Sequence, residues 1–64
     1  MNDIVIQGVT FTLANNPLYR RNEFESKYRV LYYSPDFNSW CFLYACSNKR
    51  EFNKKNIKKW FRFY

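Results

Sequence analysis

Apolar and polar positions alternate along the chain in a way that divides it into two strand pairs and a closing helix. The run Ile4-Val5-Ile6-Gln7-Gly8-Val9-Thr10-Phe11-Thr12-Leu13 alternates as a strand would, except at Gly8. Read as a hairpin with Gln7-Gly8 as a two-residue turn, the break disappears. Ile6 then opposes Val9 and Ile4 opposes Phe11, all on one face, with Val5 and Thr10 on the other. Gly at the second turn position suits the positive φ of a type I′ turn. Next, Asn15-Asn16-Pro17 is a turn signal, and Leu18 to Glu25 reads equally as a helical turn or a loop.

A second hairpin follows. Tyr28-Arg29-Val30-Leu31-Tyr32-Tyr33 has the β-branched and aromatic composition of a strand. Ser34-Pro35-Asp36-Phe37-Asn38-Ser39 carries Pro and Asp at favoured turn positions, and Trp40 to Cys46 returns. With Ser34 opposite Ser39, the pairs Tyr33–Trp40, Leu31–Phe42 and Arg29–Tyr44 share one face. Val30, Leu43, Tyr32, Cys41, Tyr28 and Ala45 share the other, which is smaller, more aliphatic and suited to packing under a helix. The first face is aromatic with one Arg. It is either a second core layer, covered by the first hairpin, or an open platform on which bases stack.

The period changes in the tail. Asn48 is a good N-cap, with Glu51 at the spacing of a capping box. At about 100° per residue, Phe52, Ile57, Trp60, Phe61, Phe63 and Tyr64 fall in one arc, and Lys54, Lys55, Lys58, Lys59 and Arg62 in the other. Alternatively, Arg50-Glu51-Phe52 ends a third strand and Asn53 caps the helix. The pattern predicts one α+β domain: a hairpin over about 3–13, an irregular stretch over 14–26, a hairpin over about 27–47 and a helix over about 49–62. The two hairpins form a small antiparallel sheet. The amphipathic C-terminal helix lays Phe52, Ile57, Trp60, Phe61 and Tyr64 on it.

Composition narrows what such a domain does. In 64 residues there is room for one domain, and an aromatic content of 23% argues against disorder. The chain has no His, so the commonest general base and metal ligand is missing. A single Gly cannot build a phosphate-cradling loop. Two Cys without His cannot close a zinc site, and Cys41 and Cys46 on one strand would point to opposite faces, as reduced thiols. Glu23, Glu25 and Asp36 sit in loop-like segments. The expectation is a binding module without catalytic residues, metal or cofactor. No apolar run approaches the length that spans a bilayer, and Met1-Asn2-Asp3-Ile4 does not open like a secretory signal. A cytoplasmic location is expected.

Charge placement adds the strongest functional hint. Residues 1–47 are balanced, whereas residues 48–64 hold seven cations against Glu51 alone, which accounts for the whole net charge of +6. Such a concentration is the footprint of an acidic partner, or else a solvated, solubilising helix face helped by the helix dipole.

The stretch 27–61 resembles the arm-type DNA-binding domain of phage and transposon tyrosine integrases. The likeness rests on the strand Tyr28 to Tyr33, the Pro35-Asp36 turn, the strand Trp40 to Ala45, the short basic piece Arg50-Glu51-Phe52 and the Lys-rich helix from Asn53 to Phe61. Glu51 stands where the family commonly carries Gly. The resemblance implies a sheet set into the DNA major groove. Abundant Asn, Lys, Phe and Tyr, with A/T-rich codons, fit a small phage or mobile-element protein acting in a host cytoplasm.

The first expectation is therefore nucleic-acid binding, DNA before RNA. Lys54, Lys55, Lys58, Lys59 and Arg62 would neutralise phosphates, and Arg29, Tyr33, Trp40, Phe42 and Tyr44 would stack on or read bases. The second is an inhibitor or adaptor that blocks a host protein bearing an acidic patch, since Trp, Tyr and Arg dominate interface hot spots. A homodimer through exposed aromatics is compatible with either. Membrane docking is disfavoured because the helix's apolar arc is needed for the core.

Overall fold

The computed structural model describes residues 3–17, 19 and 26–63. Four strands form one antiparallel sheet in chain order: β1 (Ile4–Ile6), β2 (Val9–Asn15), β3 (Tyr28–Ser34) and β4 (Ser39–Cys46). A 3-10 turn (Lys49–Glu51) and a short helix α1 (Lys54–Trp60) follow. The small α+β architecture read from the pattern is the one observed. Tyr64 and all of Leu18 to Glu25 except Tyr19 lie outside the described residues.

The first hairpin has the anticipated register, Ile4 opposite Phe11 and Ile6 opposite Val9. Gln7 and Gly8 carry φ of 50° and 80°, the left-handed pair that a type I′ turn requires. Beyond it, the Asn16 N–H donates to the Lys27 carbonyl at 2.9 Å, extending the β2–β3 ladder past Asn15. At the far end of β3, Ser34 pairs with Ser39. The turn between them closes through Asn38, at φ 52°, a conformation Asn tolerates better than most residues.

The β3–β4 register departs from simple alternation at one point. Pairing runs regularly from Ser34–Ser39 to Leu31–Phe42, then skips Leu43, so that Val30 faces Tyr44 and Tyr28 faces Cys46. This bulge corrects the expected faces. Tyr44 turns into the core and Ala45 turns out opposite Arg29, the reverse of unbroken alternation. It also moves Cys46 to the side of Cys41. Their partners on β3, Tyr28 and Tyr32, are four residues apart, roughly 13 Å, too far for a disulfide. Both thiols are free.

The core lies on one face of the sheet, centred on Phe11, Val30 and Ile57, which are fully buried. Ile6, Leu13, Tyr28, Tyr44 and Cys46 surround them. The helix is shorter than the periodicity suggested, because the tail is capped twice. Asn48 caps the 3-10 turn in a complete capping box with Glu51, and Asn53, at φ −148°, interrupts the helical path and caps α1 by accepting from the Asn56 N–H. The start at Asn53 was one of the two alternatives; the third strand that went with it is replaced by the 3-10 turn. After Trp60 the chain is extended. Phe61 and Phe63 turn inward onto Phe11, at 5.2 and 6.1 Å between ring centroids, and Arg62 between them is exposed. This two-residue alternation, not a last helical turn, seals the core.

Phe11→Ala should cost about 3–5 kcal/mol, much of the roughly 3–10 kcal/mol that a domain of this length possesses. Phe37→Ala, at an exposed turn position, should shift stability by no more than about 0.5 kcal/mol. Urea titration followed by circular dichroism distinguishes the two.

Candidate nucleic-acid interface

The sheet separates the expected site residues into three groups. Lys54, Lys55, Lys58 and Lys59 project from α1, and Arg62 from the extended segment after it; all five are exposed. Arg29, Tyr33, Trp40 and Phe42 lie on the opposite, outer face. Tyr44 belongs to neither set: it is buried in the core, a correction that follows from the bulge. With Tyr44 buried, the ten residues do not form one continuous surface, although Arg62 shares a groove with Tyr33 and Phe42.

On the helical side, cations occur in i,i+4 pairs, Lys54–Lys58 and Lys55–Lys59, an arrangement that costs a few tenths of a kcal/mol per pair in an isolated helix. Lys58 and Lys59 gain from the dipole in the last turn. Lys54 and Lys55 occupy the first turn, where the dipole opposes positive charge and no acid is present. Glu51, the only acid of the segment, directs its carboxylate to the N–H groups of Ser47 and Asn48, each at 3.2 Å. Helix stability alone thus explains two of the four lysines and is opposed by the other two.

The outer face is open. No described element covers it, and Val5, Trp40 and Phe42 are 61%, 45% and 57% exposed. Tyr33 and Trp40 meet edge to face at 5.4 Å, and the Tyr33 hydroxyl donates to Asn38 Oδ1. The Arg29 guanidinium lies 5.8 Å from the Phe42 ring centroid, a cation–π distance. Of the two possibilities for this face, the structure takes the exposed one.

Tyr44 connects the sheet to the basic segment. Its hydroxyl donates to the Glu51 carbonyl at 2.6 Å, and Asn56 Nδ2 donates to the same carbonyl at 3.0 Å. Burial, chiefly, raises the Tyr44 hydroxyl to a pKa of about 12, with the neighbouring Cys46 and Glu51 adding to the shift. Burial likewise pushes the Cys46 thiol up, as expected of an unreactive structural cysteine. The Tyr44 ring stacks with Trp60, centroids 6.1 Å apart and planes at 24°.

Trp60 is the residue that periodicity misplaced. An unbroken helix to residue 62 assigns it to the core; in the structure it is 58% exposed. It borders an open groove of about 470 Å³ where Phe61 and Arg62 meet Phe42 of β4, Tyr33 of β3 and Asp36 of the turn. Its sequence setting, an aromatic between Lys58-Lys59 and Arg62, is the signal that could have marked it. Among the described residues no group of three metal-ligating side chains occurs, and no helix is long and apolar enough to cross a membrane. No family model, curated protein or solved structure matches the chain.

Replacing Tyr44 by Phe should cost about 1 kcal/mol at neutral pH through loss of the hydroxyl's bond to Glu51. It should also change the alkaline limb. In the folded protein Tyr44 holds its proton up to about pH 12, while in the unfolded chain it releases it near pH 10. Its contribution is therefore complete below about pH 10 and declines as pH rises toward 12. The wild-type minus Y44F stability difference, measured by urea melts between pH 8 and 11.5, should shrink over that window.

Proposed function

We propose that the protein is a small non-catalytic module that binds nucleic acid through its basic C-terminal segment, acting in the cytoplasm. The observation that carries this reading is the four-lysine surface of α1, exposed, unbalanced by acids and in part opposed to the helix dipole. A polyanion relieves both the mutual repulsion and the dipole conflict, and the counterions it releases supply affinity. The resemblance of residues 27–61 to integrase arm-type domains supports DNA before RNA, and with the abundance of residues that have A/T-rich codons it supports a phage or mobile-element source. The roles differ from that family's: here the phosphate-binding surface is the helix, on the side of the sheet away from the open face.

A second reading, a protein-blocking inhibitor or adaptor, is favoured by the outer face, where Trp40 and Phe42 are exposed side by side with Arg29. Aromatic and Arg side chains together are the composition of interface hot spots. A protein held there would stay bound at high salt after nuclease treatment and be released by W40A/F42A, with K54A/K58A retaining it.

Fluorescence-anisotropy titration of labelled DNA at two salt concentrations tests the first reading. Affinity should fall steeply with salt, and each lysine of α1 changed to Ala should reduce the log–log slope by about 0.7–0.9. The lysines at the start of α1 offer a sharper signature. Lys54→Glu and Lys55→Glu should each raise the melting temperature by a few degrees and weaken DNA binding. Absence of binding at low salt would reject this reading.

A further inference from the structure

We infer that the groove beside Trp60 is a base-binding site for single-stranded nucleic acid, flanked by the cations that hold its phosphates. The inference rests on the nucleic-acid reading above and specifies the form of nucleic acid bound. Trp60 is one of four large aromatics exposed among the described residues, with Phe37, Trp40 and Phe42, and is 58% exposed at the end of α1. One face of its ring lies along Tyr44. That contact, fixed by the Tyr44 hydroxyl on the Glu51 carbonyl, holds the indole in place. The rest of the ring is open to solvent, a pre-positioned stacking surface of the kind on which unpaired bases lie.

The charges around it match a nucleotide. Lys58 and Lys59 precede Trp60 and Arg62 follows it, all exposed, so cations lie within two residues on both sides. The groove, of about 470 Å³, is within the range that takes small planar ligands. Its lining is aromatic at Trp60, Phe61 and Phe42, with one cation, Arg62, and one acid, Asp36. A phosphate fits beside Arg62. A base N–H donor, unlike a phosphate, fits beside Asp36. Duplex DNA cannot use this arrangement without unstacking a base, at a cost of a few kcal/mol. The lysines of α1 contact phosphates of either form, while Trp60 contributes only to the single strand.

The test uses oligo-dT of about 12 nucleotides and a duplex of equal length, titrated under identical low-salt conditions. The single strand should bind more tightly. Trp60→Ala should weaken it about ten-fold or more, within the range of one lost base stack, and leave the duplex unchanged. Trp60→Phe should restore most of the loss, and thermal melts confirm that each variant is folded. In a Trp40→Phe background, where Trp60 is the sole tryptophan, the single strand should quench its fluorescence and the duplex should not. If W60A binds the single strand as wild type does, or no quenching occurs, while K54A/K58A still weakens both forms, the base site is overturned and the phosphate-binding helix stands. If neither form binds, both readings fall together.

Discussion

The bulge at Leu43 is the constraint on which the arrangement of this small domain depends. Without it, β4 would present Tyr44 to the outer face, as strict alternation dictates. With it, Tyr44 enters the core, and its hydroxyl reaches the Glu51 carbonyl beyond the end of the strand. That carbonyl also receives Asn56, so one backbone oxygen ties β4, the 3-10 turn and α1 together. Together with Ile57 buried in the core, this bond joins the basic segment to the sheet. It also aligns the Tyr44 ring with Trp60. A departure of one residue in strand register thus controls the placement of the surface to which function is assigned.

The domain makes economical use of its two sides. The helical side carries the core below and the cations above. The sheet's other side is left open, with Trp40, Phe42 and Val5 uncovered. Chain length gives a physical reason: a single seven-residue helix can cover one face of a four-stranded sheet, and no other described element is available for the second. Small domains bury a smaller fraction of their surface than large ones, so exposed aromatics are partly a consequence of size. Trp60 differs in its setting: it stacks on Tyr44 at 24° between planes and is flanked by Lys58, Lys59 and Arg62, whereas Trp40 meets Tyr33 edge to face.

Much of the fold was legible from alternation and turn chemistry. The first hairpin needed only Gly8 and the pairing of Ile4 with Phe11. The second needed the Pro35-Asp36 turn and a strand-like composition on either side. What the pattern did not reveal was the bulge, because Leu43 and Tyr44 are both apolar enough to face inward and neither carries a Gly or Pro to mark irregularity. That hid the burial of Tyr44 and the placing of Cys41 and Cys46 on one side. The helix end was hidden for a related reason. Phe61 and Phe63 fit an apolar arc at helical period about as well as they fit a two-residue alternation, and only tertiary contact with Phe11 selects the second. The lysines were recognisable from charge placement alone, since exposed cations need no particular geometry. The position of Trp60 depended on both hidden features and could not be read.

The central claim is that nucleic acid engages the helical side and the Trp60 groove, which meets the open sheet face at Tyr33 and Phe42. Trp60 lines that groove and Trp40 does not, so a nitrogen-15 NMR titration with oligo-dT reads both indole N–H signals in one experiment. The account predicts the largest shifts at the Trp60 indole and the backbone of Lys54 to Arg62, smaller ones at Tyr33 and Phe42, which line the groove, and a smaller change at the Trp40 indole than at Trp60. Shifts centred on Trp40 and Arg29, with Trp60 unmoved, would contradict it.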